Sequence, residues 1–203
     1  IDSSYVIKDQ SKASGVATIT VDSKGENSIV VAPGANGALT PEDIDKAESV
    51  ITAAECLLLQ LEVPLETVIR AAEIASKHGT KVILDPAPAQ ELPEKLLKLV
   101  DILTPNESEA GILTGIVGDS EEIAKKQAES LYKLGVIHVL VTRGAAGSLL
   151  YDGSEFKSFP AVKVERCAGH RPSRRQIPAG CNRVCLQGRR LFHYSSRRPG
   201  QPA

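Results

Sequence analysis

Short apolar segments alternate with helical segments through the middle of the chain, and this alternation most constrains the fold. The apolar run 56–61 is followed by a helical pattern that ends near residue 79, and the run 81–85 is followed by another helical segment. Strands that alternate with helices form βαβ units with right-handed crossovers and a parallel sheet. The sequence therefore predicts an α/β fold, and 203 residues, 42% of them apolar, suffice for a buried core.

Turn chemistry near the start of the chain predicts a β-hairpin. Strand 14–22 and strand 28–32 flank the turn-forming residues 24–27. Thr40 then caps a helix whose first residue is Pro41. Further helices are predicted at 64–79, 93–100, 107–115 and 120–134. Further strands are predicted at 81–85, 101–103 and 136–142, with a last hairpin turning at 152–153.

The strand at 56–61 is apolar at nearly every position. Such a run is typical of a strand that is covered on both faces. Cys56 is accordingly expected to be a buried thiol with a packing role. No apolar run approaches the ~18 residues needed to cross a bilayer, so no membrane partner is predicted.

Polar residues and glycines follow directly after several predicted strands. Ligands of parallel α/β sheets lie beyond the carboxyl ends of the strands. The candidates for a binding site are therefore Glu62, Asp85, Asn106, Glu109 and the segment 142–147.

Each candidate also has a plain structural interpretation. The main-chain amides of the glycine-containing segment 142–147 suit a phosphate, but the same residues suit an ordinary turn between strands. The polar run from Asn106 to Glu109 suits a hydrated metal and phosphates, although acids in a first turn also favour the helix dipole. Glu62 is either a ligand-binding carboxylate or a surface acid. The Walker and dinucleotide motifs are absent.

Charge divides the chain into two parts. Residues 1–165 carry all 25 acidic residues and 15 of the 24 basic ones, a net charge of −10, whereas residues 166–203 carry nine Arg, no Lys and no acid. Nine arginines are able to bind nucleic-acid phosphates. Residue types that bind zinc are also present: Cys167, His170, Cys181 and Cys185. Irregular spacing, four prolines and the lack of Lys weigh against both, so no nucleic-acid partner is predicted.

Four long segments together point to one family. They are SGVATITVDSKGENSIVVAPGANGALTP (14–41), LLLQLEVPLETV (57–68), ILDPAPAQELPEKLLKLVDILTPNESEAGILTG (83–115) and VLVTRGAAGSLLY (139–151). In order and spacing, residues 1–165 closely resemble the ribokinase branch of the ribokinase-like sugar kinases, also called the phosphofructokinase-B family.

The resemblance implies a three-layer α/β/α fold with a small β-sheet lid, here incomplete. Residues 1–32 would supply lid strands, and 33–165 the nucleotide- and sugar-binding core. The implied reaction is transfer of the γ-phosphate of ATP to the 5-hydroxymethyl oxygen of ribose, with Mg²⁺ and a monovalent cation such as K⁺. A cytoplasmic homodimer is implied for the intact protein. Another sugar or nucleoside kinase, or an inactive nucleotide- or sugar-binding protein, is the alternative.

The same resemblance assigns roles to matching residues. Glu62 would bind the sugar, since a carboxylate accepts hydrogen bonds from two vicinal hydroxyls. Glu109 would organise Mg²⁺, usually through water. The nucleotide would be bound by Asn106, Thr142, Arg143, Gly144, Ala145, Ala146 and Gly147.

Two parts of the family pattern are missing. The family's glycine-rich sugar-binding loop and an early Asp would precede Ile1. After a strand at 161–164 the family places Asp-Thr-x-x-Ala-Gly-Asp-x-Phe, which contains the anion hole and the catalytic Asp, and which this chain lacks. The chain as given is therefore expected to be inactive and, without those strands, to expose apolar sheet surface.

The genetic code suggests a reason for the altered segment. Read from the second base of the Gly169 codon, the codons of Gly169 to Pro178 can encode Asp-Thr-Ala-x-Ala-Gly-Asp-x-Phe. Loss of Lys and of every acid is also what misread GC-rich coding sequence produces. We therefore hypothesise that residues 166–203 are an out-of-frame translation.

Overall fold

A computed structural model of the chain describes residues 2–22 and 27–162. Its strands are Val16–Val21 (β1), Asn27–Ala32 (β2), Cys56–Leu59 (β3), Lys81–Leu84 (β4), Ile102–Leu103 (β5), His138–Thr142 (β6), Ser148–Tyr151 (β7) and Phe156–Phe159 (β8). Its α-helices are Pro41–Lys46 (α1), Glu48–Ala53 (α2), Leu65–Lys77 (α3), Glu94–Leu97 (α4), Glu107–Thr114 (α5) and Glu121–Lys133 (α6). The predicted elements between residues 14 and 159 are thus confirmed in type and order, most with shorter bounds, and α2 is an additional helix that was not predicted. The altered segment 166–203 and residues 163–164 of the predicted strand 161–164 lie outside the described residues, and residues 161–162 are not in a strand.

The strands form two sheets. β1 and β2 pair as an antiparallel hairpin, as predicted. The other six form one mixed sheet in the order β3-β4-β5-β6-β7-β8. The pairs from β3 to β6 are parallel, and β6, β7 and β8 are antiparallel because short turns join them. The predicted α/β fold is confirmed as a mixed sheet flanked by helices.

Side-chain caps determine where two of the helices, α1 and α6, begin. Thr40 caps α1 in a reciprocal capping box with Asp43, with Pro41 at the first helical position. Ser120 caps α6 by accepting from the amide of Ile123. These side chains satisfy N–H groups that have no partner within the helix, so the helices begin where the sequence predicts.

The core lies between the six-stranded sheet and helices α3 and α6. β4 is buried along Val82, Ile83 and Leu84, and the inward residues of β6 are Val139 and Val141. Apolar residues of the two helices pack into the same cluster: Val68, Ala72, Ile74, Ala75, Ala124, Ala128 and Leu131. Burial of these side chains stabilises the parallel strands and so fixes the positions of the loops that follow them.

β3 differs from the prediction. Cys56 is an exposed free thiol and Leu58 is 68% exposed, so the strand is not covered on both faces. The expectation of a buried Cys56 was wrong because β3 is an edge strand, paired with β4 alone among the described residues. An apolar run in the sequence does not reveal which neighbour covers it.

The hairpin of β1 and β2 exposes apolar side chains from both strands. Val16, Ile19 and Val21 of β1 are each about 60% exposed, and Val30 of β2 is 70% exposed. A two-stranded sheet is marginally stable alone and acquires stability by covering one face. The assignment of residues 1–32 to a lid remains a prediction. No helix within 2–22 and 27–162 is long and apolar enough to span a bilayer.

Candidate functional site

The ends of β5 and β6 bring two predicted segments side by side. Asn106, shortly after β5, forms an isolated parallel bridge with Thr142, the last residue of β6. The amide of Thr142 also donates to the carbonyl of Pro105 at 2.8 Å. Asn106 and the glycine turn, which we define as Thr142–Gly147, therefore lie together at the carboxyl edge of the sheet, where α/β proteins bind ligands.

Glu109 is held by the start of helix α5. Oδ1 of Asn106 accepts from the main-chain N–H of Glu109 at 2.8 Å, and Oε2 of Glu109 accepts from the main-chain N–H of Asn106 at 2.7 Å. This capping box fixes the Glu109 carboxylate beside the first turn of the helix. Its other oxygen, Oε1, makes no hydrogen bond within the described part of the chain and is available to a ligand.

The glycine turn is closed by its own backbone. The amide of Arg143 donates to the carbonyl of Gly147 at 2.8 Å, across a single 3-10 turn, Gly144–Ala146. Gly147 has φ +92°, and a Cβ atom there would lie 2.0 Å from the carbonyl oxygen of Phe159. Only glycine fits this position, because both the backbone conformation and the space exclude a side chain. Gly144, Ala145 and Ala146 are exposed.

The Arg143 side chain faces the protein and is engaged there. Its Nε donates to Oε1 of Glu107 at 3.2 Å, and its Nη1 lies 3.5 Å from Oε2 of Glu121. The Arg143 side chain is 11% exposed. Lys125 lowers the pKa of Glu121 most, and Arg143 lowers it further by its positive charge. Arg143 thus links the glycine turn to the first turns of α5 and α6.

Glu62 lies at the same edge of the sheet but apart from this cluster. It is exposed, in the loop after β3, and it has no hydrogen bond or ion pair to any described residue. The loop itself is anchored where the amide of Leu61 donates to the carbonyl of Ala87 at 2.9 Å. Two strand spacings separate β3 from β5, about 10 Å at ~4.8 Å each. Asp85 lies between them, after β4, and accepts from Nε2 of Gln60 at 3.4 Å.

Glu121 is a site residue that the sequence pattern did not single out, and Glu107 was named only as part of the polar run from Asn106 to Glu109. Both are acids in a helix first turn, where the helix dipole alone explains them. The available signal was the rarity of arginine: Arg143 is one of two in residues 1–165, the other being Arg70. A rare Arg beside a candidate phosphate site calls for an acidic partner, but sequence spacing does not say which.

The donor set near Glu109 fits a hydrated Mg²⁺. Mg²⁺ keeps several waters and takes one or two carboxylates together with substrate phosphates, so it needs no closed protein cage. The described residues contain no group of three or more His, Cys, Asp or Glu arranged to hold a metal. Glu109, with one carboxylate oxygen free, is the residue that would hold the ion.

Fold and site together define a class of protein. A mixed α/β sheet with a glycine turn and a capped helix start at the carboxyl edge of adjacent strands is typical of nucleotide-binding enzymes. Residues 1–166 match the family model of the pfkB family carbohydrate kinases, and the chain belongs to that family. The resemblance found in the sequence is confirmed.

Individual relatives lie on the ribokinase side of the family. The chain is 42% identical over 164 residues to a ribokinase of Staphylococcus aureus, covering 81% of this chain and 54% of that protein. It is 46% identical over 166 residues to the bifunctional ribokinase/ribose-5-phosphate isomerase A of Fructilactobacillus sanfranciscensis, covering 80% and 31%. A structure of Arabidopsis thaliana ribokinase complexed with ribose and ATP aligns with TM-score 0.68 and 34% identity, covering 75% of this chain and 50% of that one. The chain thus spans about half, or less, of the relatives it matches.

Proposed function

We propose that the protein is an ATP-dependent sugar kinase that phosphorylates the 5-hydroxymethyl oxygen of ribose. The observation that carries this proposal is the pairing of the Asn106–Glu109 capping box with the glycine turn, Thr142–Gly147, at one edge of the sheet. The relatives that this chain resembles include ribokinases and deoxyribokinases, and the structure of one of the ribokinases is a complex with ribose and ATP.

The nucleotide corner, which we define as Asn106–Glu109 together with Thr142–Gly147, is proposed to bind the phosphates of ATP. Main-chain N–H groups of a glycine-containing turn and polar groups at a helix start favour anions. Glu109 would hold Mg²⁺, which supplies charge neutralisation for the transferring phosphoryl group. Asn106 would contact a phosphate of ATP through its side-chain amide group, because Asn106 is exposed at the start of α5.

The sugar corner, which we define as Glu62, is proposed to accept hydrogen bonds from two vicinal hydroxyls of the sugar. Its exposure and its freedom from other partners within the described residues leave both carboxylate oxygens for a ligand. Its place two strands away from the nucleotide corner leaves about 10 Å between them. That span suits a substrate bound beside a triphosphate.

The chain as given is proposed to lack turnover. A general base must lie within hydrogen-bond reach of the hydroxyl that it deprotonates, and an anion hole must meet the developing charge. The family motif for both corresponds to residues 166–203, which contain neither Asp nor Glu and which lie outside the described residues. Glu62 and Glu109 are assigned to the sugar and to the metal. We retain the hypothesis that this segment is an out-of-frame translation.

An assay of ADP release tests the proposal. The 203-residue chain and the product of the full-length, frame-restored gene are each supplied with ATP, Mg²⁺ and either ribose, 2-deoxyribose, fructose or adenosine. We expect no sugar-dependent turnover from the chain and ribose-dependent turnover from the restored protein. A preference for another substrate supports a different kinase of the family, and nucleotide binding without any turnover supports an inactive binding protein. Robust turnover by the 203-residue chain contradicts the assignment of the missing base.

Finer properties of the intact protein follow from the family resemblance alone. We infer a homodimer, activation by a monovalent cation such as K⁺, and a cytoplasmic location. The loops that would hold the monovalent cation correspond to the altered segment. Potassium dependence of the restored enzyme, with sodium at equal ionic strength as the control, tests the cation. Light scattering of the same protein tests the dimer.

A further inference from the structure

The guanidinium of Arg143 joins the two segments that form the nucleotide corner. Its main-chain N–H closes the glycine turn on Gly147, while its side chain reaches Glu107 at the start of α5. Within the described residues, this is the one ion pair between that helix start and the glycine turn. A second carboxylate, Glu121 of α6, lies 3.5 Å from the same guanidinium.

These contacts make Arg143 poorly suited to bind a phosphate with its side chain. The Arg143 side chain is 11% exposed, and it already faces two carboxylates. The two carboxylates would repel an anionic nucleotide if nothing neutralised them, since Glu107 stands next to Asn106 in the chain. The guanidinium has a planar fork of donors, which suits simultaneous contact with two acids.

We propose that Arg143 is a positioning residue that neutralises Glu107 and holds the start of α5 against the glycine turn, and that its side chain does not bind the nucleotide directly. The proposal rests on the proposed function, because its consequence is the affinity for nucleotide. Arg143 acts through two sets of groups: the side-chain amide of Asn106 with the carboxylate of Glu109, and the main-chain N–H groups of Gly144 and Ala145. The N–H of Ala146 already donates to the carbonyl of Arg143.

Loss of Arg143 is expected to loosen this junction without unfolding α5. The main chain of Glu107 is held separately, because Nε2 of the buried Gln127 donates to the Glu107 carbonyl at 3.2 Å and to the Ile116 carbonyl at 2.8 Å. The capping box is also local to α5. Arg143→Met therefore removes the ion pairs with Glu107 and Glu121 but leaves α5 its capping box and its hydrogen bond from Gln127.

Amide hydrogen exchange without nucleotide tests the positioning. In Arg143→Met we expect about ten-fold faster exchange of the amides of Glu109, Thr142 and Gly147, because local opening governs exchange at such sites. The matched control is Arg70→Met. Arg70 also pairs with a carboxylate, Asp45, through Nε at 2.6 Å, but it lies on α3. Unchanged exchange in Arg143→Met, or equal changes in both variants, overturns the proposal.

Titration of the 203-residue chain with ATP and Mg²⁺ separates positioning from direct binding. We expect Arg143→Met and Glu107→Gln each to weaken binding, by about ten-fold for the former, and the double variant to bind no worse than Arg143→Met, because coupled residues are not additive. Arg143→Lys should recover part of the loss. If Glu107→Gln tightens binding while Arg143→Met and the double variant are equally weak, Arg143 is a direct phosphate ligand and the proposal is wrong.

The two proposals fail in different ways. An unaltered chain that binds no nucleotide contradicts the proposed function, and the exchange measurement still decides whether Arg143 holds the helix start. An unaltered chain that binds nucleotide, with Arg143→Met binding equally well, leaves the proposed function intact and overturns the positioning role. If Arg143→Met does not fold, Glu107→Gln breaks the same contact from the other side and takes its place in both measurements.

Discussion

The nucleotide corner and the sugar corner differ in how completely this chain defines them. In the nucleotide corner, Asn106 and Glu109 form a reciprocal pair of hydrogen bonds. The Arg143 side chain donates to Glu107, and the main-chain N–H of Thr142 donates to the carbonyl of Pro105. In the sugar corner, Glu62 is exposed and joins none of the described residues. One corner has its geometry before any ligand arrives, whereas the other depends on what approaches it.

Position in the sheet explains this difference. β5 and β6 each pair with strands on both sides, so the segments after them are held by neighbours. β3, the strand before the sugar corner, is an edge strand of the six-stranded sheet among the described residues, and its Leu58 is 68% exposed. A binding site beyond the ends of the strands is therefore only as well positioned as the neighbouring strands that hold it.

The largest loss of stability is expected for Gly147→Ala, which distorts the glycine turn of the nucleotide corner. The new Cβ would lie 2.0 Å from the carbonyl oxygen of Phe159, in a backbone conformation with φ +92°. We expect a loss of ~3 kcal/mol or more in the free energy of unfolding. The added methyl group cannot rotate away from the main-chain atoms that it overlaps, and the backbone strain remains. Urea unfolding measures this loss.

Gly144→Ala is the matched control for this substitution. Gly144 also has a positive φ, +50°, but no heavy atom lies within 4 Å of a Cβ built there. The cost should be limited to the left-handed backbone, about 1–2 kcal/mol. Equal losses in the two variants would show that steric overlap at Gly147 is not the cause.

A smaller effect is expected for Asn106→Ala, which removes the cap of α5. The amide of Glu109 loses its acceptor, which costs about 1 kcal/mol for a typical N-cap. Ser120→Ala is the matched control, since Ser120 caps α6 by the same kind of bond. Both variants should lower the unfolding free energy similarly, but only Asn106→Ala should weaken binding of ATP with Mg²⁺. Equal affinity for ATP in both variants contradicts the assignment of Asn106.

Local chemistry explains which features of the two corners were predictable. The start of α5 and the glycine turn are encoded within a few residues, so the sequence alone predicts where each lies, although it did not predict that Asn106 and Glu109 cap the helix reciprocally. The pairing of Arg143 with Glu107 joins residues 36 apart, and no periodicity signals it. The exposure of Cys56 depends on a neighbour of β3, and an apolar strand has the same sequence whether or not it is covered.

Acid should loosen the nucleotide corner slightly, through Glu121. Lys125, and then Arg143, lowers the pKa of this carboxyl in the folded chain. A lowered folded pKa contributes stability above the ordinary glutamate value of 4.5 and loses it as the pH falls through the folded value. The Tm of Glu121→Gln should therefore lie slightly below that of the unaltered chain at neutral pH, and the difference in Tm should close as the pH falls below the ordinary glutamate value.

Glu122→Gln separates this effect from the helix dipole. Glu122 shares the first turn of α6 but has no ion pair with a described residue. If the difference in Tm from the unaltered chain closes equally with falling pH for Glu121→Gln and Glu122→Gln, the pH dependence comes from the helix dipole and not from Lys125 and Arg143.

The smallest effect on stability is expected for Glu62→Gln, which changes the sugar corner alone. Glu62 is exposed and unpartnered within the described residues, so the unfolding free energy should change by less than about 0.5 kcal/mol. Affinity for ATP with Mg²⁺ should also be unchanged, because the nucleotide corner is held without Glu62.

In the frame-restored enzyme, Glu62→Gln should raise the KM for ribose by about ten-fold or more, since an amide accepts fewer hydrogen bonds than a carboxylate. Glu66→Gln, an exposed acid in the first turn of α3, is the control for charge alone. A KM for ribose that changes equally in both variants would place the sugar contact elsewhere and would leave the nucleotide corner as the part of the site that this chain defines.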